Sequence, residues 1–173
     1  MNFYEHLIYC PRCKGDFDKS NPEYFTCSNC GFKFFLNPVA ANGVILENEN
    51  GEVLLVERKR DPAKGMLDVP GGFLSLLESA QESAAREIKE ELHLDINPED
   101  FEYLYGEFGT YLYQDDYIPI INLVFHAKLP PDQTPIPDDD AGKIHYFKIQ
   151  DIPLDKIAFD GIRIALEKYK KSH

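Results

Sequence analysis

The sequence predicts an α/β fold: a mixed α/β sandwich preceded by a small cysteine-rich module. Three observations predict it. Four cysteines fall as two close pairs within the first thirty residues. Apolar runs of strand length follow, punctuated by glycine, proline and asparagine. Among them lie two segments with the apolar period of a helix.

The chain has 173 residues, enough for one domain with a sizeable core, or for one domain plus a small module. Hydrophobic residues make up 43% and charged residues 28%, a globular composition rather than a disordered one. The formal net charge of −12 argues against indiscriminate binding to nucleic acid or to an anionic membrane. No dense basic patch accompanies the cysteine pairs, so the expectation is no nucleic-acid partner. Phosphate-bearing substrates stay open, because a bound cation reverses the local sign of a site. The opening MNFYEHLIYC lacks a basic segment followed by an apolar run. The run IPIINLVF is far too short to span a membrane and reads as a buried strand. A cytoplasmic protein without a membrane partner is expected.

The first element is residues 1–36. Cys10 and Cys13, then Cys27 and Cys30, each enclose two residues. Such pairs form turns whose four thiolates close a tetrahedral Zn2+ site; two disulfides or free thiols are the alternative. Four thiolates leave no open position, so the expected role is structural. Gly15 and Gly31 follow the second cysteine of each pair, where a tight turn needs a permissive backbone. Tyr24, Phe25, Phe32, Phe34 and Phe35 supply short strands and a small apolar face. A segment this short has little core, so metal contributes much of its folding energy. The pattern resembles a zinc ribbon. His6 is nearby, but four thiolates need no fifth ligand.

Asn37 and Pro38 mark the junction to the main domain, residues 37–173. A strand, a turn over Asn48 to Gly51 and a second strand from Glu52 to Arg58 come first. A long loop follows, with a short strand near Leu67 to Val69. A helix then begins at a capping box, Ser79 with Glu82, and carries the stripe Ala80, Ala84, Ile88, Leu92. After Pro98 the alternation of Phe101, Tyr103 and Tyr105 reads as a strand, and GTYLYQDDYIPIINLVFHAKL as a hairpin. PPDQTPIPDDD is a loop, KIHYFKI a strand, and Ile157 to Tyr169 a terminal helix.

The chemistry concentrates in PGGFLSLLESAQESAAREIKEEL, Pro70 to Leu92. At about 100° per residue, Glu87, Glu90 and Glu91 share roughly a 100° sector beside the apolar stripe. Three such carboxylates repel unless something positive joins them. Hard oxygen ligands suit Mg2+ or Mn2+. Gly71 and Gly72 let the backbone approach this sector, and the Gly71 carbonyl offers a further oxygen. The bland alternative is a solvated charged helix, with Arg86 paired to Glu82 or Glu90.

The complete segment resembles the Nudix hydrolase signature. Gly72 is followed after five residues by Glu78, and after seven more by Arg86-Glu87; Ile88, Lys89, Glu90-Glu91, Leu92 and Leu94 complete it. His93 stands where that family has glycine, a position a left-handed helix cap accommodates. Ser75-Leu76-Leu77-Glu78 stands where many relatives carry Glu-x-Gly-Glu, so an acidic position is lost.

The resemblance implies an α/β/α sandwich with a mixed sheet. It also implies metal-assisted attack of water on a phosphoanhydride in a nucleoside diphosphate linked to another group. Glu90 and Glu91 are the preferred ligands of Mg2+ or Mn2+. Glu87 binds a second metal or orients and deprotonates water, Glu78 joins the same acidic network, and Arg86 holds the carboxylates in place. Asp115, Asp116 and Asp138 to Asp140 are candidates for a base outside the signature. A zinc ribbon ahead of such a domain resembles NADH pyrophosphatases. Gln114 and Pro119 match part of the motif those proteins carry, but the chain has no tryptophan. Tyr111, Tyr113 and Tyr117 are candidates to stack on a base or ribose, and Phe108 and Phe125 to pack. ADP-ribose, NADH, nucleotide sugars and dinucleotides all remain open as substrates. The alternative is a catalytically weak nucleotide-binding or sensor protein of the same fold. A homodimer is the family-like expectation.

Overall fold

The computed structural model describes residues 3–138 and 141–173. The chain opens as a three-stranded antiparallel ribbon of β1 (Phe17–Asp18), β2 (Tyr24–Cys27) and β3 (Lys33–Phe35). Each cysteine pair reverses the chain. Lys14 N–H donates to the Cys10 carbonyl at 2.8 Å, and Gly31 N–H to the Cys27 carbonyl at 3.0 Å. Gly31 adopts the left-handed region expected of it, at φ 72°, but in the first turn Lys14 does so (φ 61°), not Gly15. The apolar interior is small. Phe25, Cys10 and Cys27 are buried, and Phe17 packs on Phe25 and Phe34 with ring centroids 5.8 and 6.3 Å apart. Tyr4 donates its hydroxyl to the Asn37 carbonyl, and His6 Nε2 lies 3.2 Å from Asp116. His6 therefore ties the ribbon to the main domain instead of approaching the thiols.

The main sheet has six strands: β4 (Val39–Glu47), β5 (Glu52–Arg58), β6 (Leu67–Asp68), β7 (Glu102–Tyr113), β8 (Asp116–Lys128) and β9 (Ala141–Lys148). Their order is β6-β5-β4-β8-β7, with β9 on β5. β4 and β8 run parallel and the other pairs antiparallel, so the sheet is mixed. Helices α1 (Ala80–Leu92) and α2 (Asp160–Ser172) cover opposite faces. Successive strand residues point to opposite faces, so neighbours enter different cores. Val44, Leu46, Leu54 and Val56 pack with Ala84, Ile88 and Leu92 of α1. Ile45, Val53 and Leu55 pack with Ile162, Ala165 and Leu166 of α2. Burial on both faces is why these strands read as continuous apolar runs.

One irregularity of the sheet positions the site. β4 and β5 pair at Leu46–Leu54 and Glu47–Val53 and then diverge. The chain from Leu67 to Leu74 enters the gap. β6 pairs with β5, while Val44 N–H donates to Pro70 O (2.9 Å), Asn42 N–H to Gly72 O (2.8 Å) and Leu74 N–H to Ala40 O (3.1 Å). The two glycines are thus held in the sheet itself and not on a free loop.

Two expectations change and one is met. The terminal helix starts at Asp160, not Ile157, because Ile157 bridges Leu67 and Ala158 N–H donates to the Leu67 carbonyl at 2.8 Å. Phe101 precedes β7, and the β7–β8 register slips between Tyr103 and Tyr105. The slip sends Tyr103 against Phe125 on the α1 side and Tyr105 against the α2 core, so the two do not share a face. The β7–β8 hairpin closes on Gln114 and Asp115, both left-handed (φ 48° and 70°), which matches the right-handed twist of its strands.

Candidate active site

Helix α1 is fixed at both ends. Ser79 caps the N-terminus: its Oγ accepts from Glu82 N–H at 3.2 Å, and the Glu82 carboxylate accepts from Ser79 N–H at 2.7 Å. Glu82 is therefore committed to the cap and not to Arg86. His93 closes the C-terminus in the left-handed conformation (φ 56°, ψ 31°), its N–H donating to the Lys89 carbonyl at 3.1 Å. The last carbonyls are satisfied from outside: Asp138 N–H donates to Glu91 O and Ile136 N–H to Leu92 O, both at 2.9 Å. Asp138 thus meets α1 through its backbone, while Asp139 and Asp140 lie outside the described residues.

Arg86 gathers three of the carboxylates. Its Nε and Nη2 hold Glu78 in a fork at 3.0 and 2.8 Å. Its Nη1 reaches Glu87 at 2.8 Å and Glu90 at 3.1 Å, and Nη2 also donates to the Phe73 carbonyl at 3.2 Å. The side chains differ in access. Glu90 is 59% exposed against 14% for Glu87 and 15% for Glu78, so Glu90 is the one that faces solvent.

Glu87 and Glu91 face the two glycines. A Cβ on Gly72 would lie 2.6 Å from the Glu87 carboxylate carbon. Gly71 has φ 146°, and a Cβ there would lie 2.4 Å from the Asn42 carbonyl. The N–H of Gly71, not its carbonyl, meets the site: it donates to Glu91 Oε2 at 3.1 Å. The glycines make room for the carboxylates of α1 to reach the sheet.

These environments separate the carboxyl groups electrostatically. The Arg86 fork holds Glu78 down to about 2. Burial pushes Glu91 up to about 8, against the Gly71 N–H, with Glu87 and Asp68 adding repulsion. Burial also raises Glu87, and pushes Asp68 up to about 6 against its ion pair with Arg58 at 3.1 Å. Glu91 thus sits withdrawn from water among like charges, an arrangement that a hard divalent cation on oxygen ligands relieves. Asp68 and Arg58 were not singled out from the sequence. The signal available for them was the run Arg58-Lys59-Arg60, unusual in so acidic a chain.

A groove runs away from this edge. A cleft of about 220 Å3 is lined by Glu91, Gly71, Asp68, Tyr111 and Arg58-Lys59-Arg60. It adjoins an inner cavity of about 150 Å3 that contains Asn42, Asn122, Phe73, Tyr111 and Phe159. Beyond lies an open cleft of about 680 Å3 between β7 and the start of α2, lined by Phe108, Tyr117, Phe159 and Arg163 among others. Tyr111 and Tyr117 therefore line the groove, Tyr113 lies at the hairpin end, and Phe125 is core. Asp115 sits exposed in the hairpin turn, and Asp116 faces His6.

The cysteines form a separate centre. The Sγ atoms of Cys10, Cys13, Cys27 and Cys30 all lie within 4.8 Å of one another, with Cys13–Cys27 at 3.4 Å and Cys10–Cys30 at 3.9 Å. A tetrahedral ion with bonds of about 2.3 Å to sulfur requires S···S edges of about 3.8 Å, so the set is of the size and ligand type that a soft four-coordinate metal takes. No disulfide joins them. The Gly15 backbone N–H holds the Cys13 thiol down to about 6, while, against the Phe32 N–H, the neighbouring thiols and burial push Cys30 up to about 12.

Comparison with known proteins identifies the family and the fold. A family model described as the NUDIX domain matches residues 37–167. An ADP-ribose pyrophosphatase of Methanocaldococcus jannaschii is 31% identical over 133 residues, 77% of this chain and 74% of that protein. The crystal structure of a NUDIX hydrolase from Nitrosomonas europaea is similar with a TM-score of 0.70 at 28% identity, covering 95% of this chain and 91% of that one. A MutT NUDIX hydrolase from Burkholderia pseudomallei gives a TM-score of 0.64 at 26% identity, over 76% of this chain and 97% of that one. Among the described residues no helix is long and apolar enough to cross a membrane.

Proposed function

This chain belongs to the Nudix family, and from that premise we propose that it hydrolyses the phosphoanhydride of a nucleoside diphosphate linked to another group, with ADP-ribose the first candidate. NADH and nucleotide sugars are the next candidates. The observation that carries the reading is the pair Glu87 and Glu91 turned onto Gly71 and Gly72, with Glu91 pushed up to about 8 by burial among acidic neighbours. The name of the Methanocaldococcus relative supports the choice of ADP-ribose.

Glu91 and Glu87 would hold Mg2+ or Mn2+, with Glu90 completing the set from the exposed side. When bound, the cation supplies positive charge at the pyrophosphate oxygens and lowers the pKa of a coordinated water. The chain's own residues do the rest. Glu91 gives up its proton on binding the cation, so its raised pKa makes occupancy proton-coupled. Arg86 spans Glu78, Glu87 and Glu90, and so fixes the carboxylates before substrate arrives. Gly71 directs its N–H to Glu91 and keeps that carboxylate oriented. Residues 1–36 form a Zn2+ ribbon with a structural role, and residues 37–173 the hydrolase domain.

The test is a screen with Mg2+ and Mn2+ against ADP-ribose, NADH, nucleotide sugars and dinucleoside polyphosphates, resolving both phosphate products. Metal-dependent anhydride cleavage is expected, with at least a hundredfold loss in Glu91→Gln. Folded, zinc-loaded protein that turns over none of these substrates sinks the reading.

A further inference from the structure

One face of α1 meets one strip of the sheet three times. Ser83, Glu87 and Glu91 recur at every fourth residue, so they follow one another along that face. Ser83 meets Asn42 of β4, its Oγ accepting from Asn42 Nδ2 at 2.7 Å. Glu87 meets Gly72, where a Cβ would lie 2.6 Å from its carboxylate carbon. Glu91 meets Gly71, whose N–H donates to Oε2 at 3.1 Å. The strip is itself one piece. Asn42 N–H donates to the Gly72 carbonyl at 2.8 Å. Gly71 lies so close to Asn42 that a Cβ there would be 2.4 Å from the Asn42 main-chain oxygen and 2.9 Å from its Oδ1.

The three contacts are unequal. Glu87 accepts from Arg86 and only packs against Gly72. Glu91 has one N–H to set against the repulsion of Glu87 and Asp68. Asn42 with Ser83 is the uncharged contact and the shortest hydrogen bond of the seam, with Asn42 5% exposed and Ser83 fully buried. The Ser83 hydroxyl also accepts from Arg86 Nη2 at 3.4 Å, so it touches the guanidinium that spans Glu78, Glu87 and Glu90. Oδ1 of the same Asn42 amide is buried without a hydrogen-bond partner. A half-satisfied amide is costly in a core, and an apolar pair of similar shape at positions 42 and 83 would avoid that cost. Stability alone does not call for asparagine here.

We propose that Asn42 and Ser83 are positioning residues, whose bond sets the register of α1 along Gly71 and Gly72 and so fixes where Glu87 and Glu91 present their oxygens to a divalent cation. This rests on the reading of those carboxylates given above. Neither Asn42 nor Ser83 is itself a ligand. Without the bond, α1 keeps its caps at Ser79 and His93 and its apolar contacts. It loses the polar contact that stops it sliding along the strip, and the two carboxylates move with it.

The experiment measures Mn2+ binding by electron paramagnetic resonance, without substrate, and thermal melting in chelator. It compares the full wild-type chain with Asn42→Leu, Ser83→Ala, the two combined, and Glu91→Gln. Each single variant leaves a buried polar partner unpaired and melts lower; the double variant removes both partners and melts close to the wild type. All three raise the Mn2+ dissociation constant alike, by about ten- to a hundredfold, the usual effect of losing a group that orients a ligand. A double variant that binds Mn2+ as the wild type does overturns the proposal. So does an affinity that simply follows the melting temperature through the three variants, the mark of a structural role alone. If the double variant does not fold, the Mn2+ affinity of Ser83→Ala decides. Glu91→Gln separates the two readings. Unchanged Mn2+ binding in Glu91→Gln removes the carboxylate reading and this proposal with it. Weakened binding in Glu91→Gln beside wild-type binding in the double variant removes this proposal only.

Discussion

Gly72 and Glu87 are in such close contact that a methyl group on the glycine would lie 2.6 Å from the carboxylate carbon. Glu87 is also tied to Arg86 at 2.8 Å, so it has little freedom to give way. Gly72→Ala should therefore displace Glu87 and loosen the Arg86 network. The expected outcome is a fall in metal-dependent hydrolysis of about 100-fold, the scale of an ångström-sized misplacement. Circular dichroism should stay that of a folded protein. Full activity in a folded Gly72→Ala protein would count against Glu87 as part of the site.

Glu91 makes metal-free stability depend on pH. Burial raises its carboxyl from the ordinary 4.5 to about 8 in the folded chain. Below pH 4.5 it is protonated folded or unfolded, and the stabilisation is complete. Between 4.5 and 8 the unfolded chain loses the proton while the folded chain keeps it, so stability falls as pH rises. Thermal melts in chelator from pH 5 to 8.5 should show a declining Tm. Mg2+ should reverse the decline by favouring the carboxylate, and Glu91→Gln should flatten it. A Tm that rises across this window in chelator would contradict the environment described for Glu91.

Leu77 carries a conformation that its side chain does not favour. It is left-handed (φ 71°) and 96% exposed, at the place where the Nudix signature of many relatives has glycine. Leu77→Gly removes backbone strain and sacrifices no packing. A gain of about 0.5–1 kcal/mol is expected in chemical denaturation, after the entropic cost of glycine. A loss of stability would show that Leu77 makes contacts when the protein is folded in solution.

The cysteine centre should dominate the folding of residues 1–36. One zinc per chain is expected by elemental analysis. Cys13→Ser should release it and unfold the ribbon, since bound zinc contributes on the order of 10 kcal/mol to modules with so small a core. Proteolysis before residue 37 should accelerate in that variant while the remainder resists. Retention of stoichiometric zinc in Cys13→Ser would rule out the four-thiolate site.

The legible parts of this protein are local ones. Ser79, Glu82, His93 and the stripe Ala84, Ile88, Leu92 declare α1 because caps and period act within one helix. The hairpin turn at Gln114 and Asp115 was marked by its flanking apolar strands. Asn42, Arg58 and Asp68 were not legible. They come from β4, β5 and β6 and meet through the divergence of two strands, which no single window of sequence encodes. The register slip after Tyr103 was hidden for the same reason: an alternation of aromatics looks identical with or without an inserted residue. In α1 the spacing identified which carboxylates share a sector, but not that Arg86 would hold Glu90 at the surface while Glu91 turned inward.

The wedge of chain between β4 and β5 has a consequence for how such an enzyme diversifies. Gly72 and Leu74 are registered to β4 by main-chain bonds, and Leu67 and Asp68 to β5. Residues 59–66 join these anchorages, hold Arg58 through the Pro62 and Met66 carbonyls at 2.9 Å each, and border both the 220 Å3 cleft and the open cleft beside α2. Exchange of this span would therefore act on the acidic site through Arg58 and Asp68, while the main-chain bonds that hold Gly72 and Leu74 on β4 stay outside it. Residues 59–66 thus couple the clefts to the acidic site, so a change of reach toward the rest of a substrate made here is expected to be felt at the carboxylates as well.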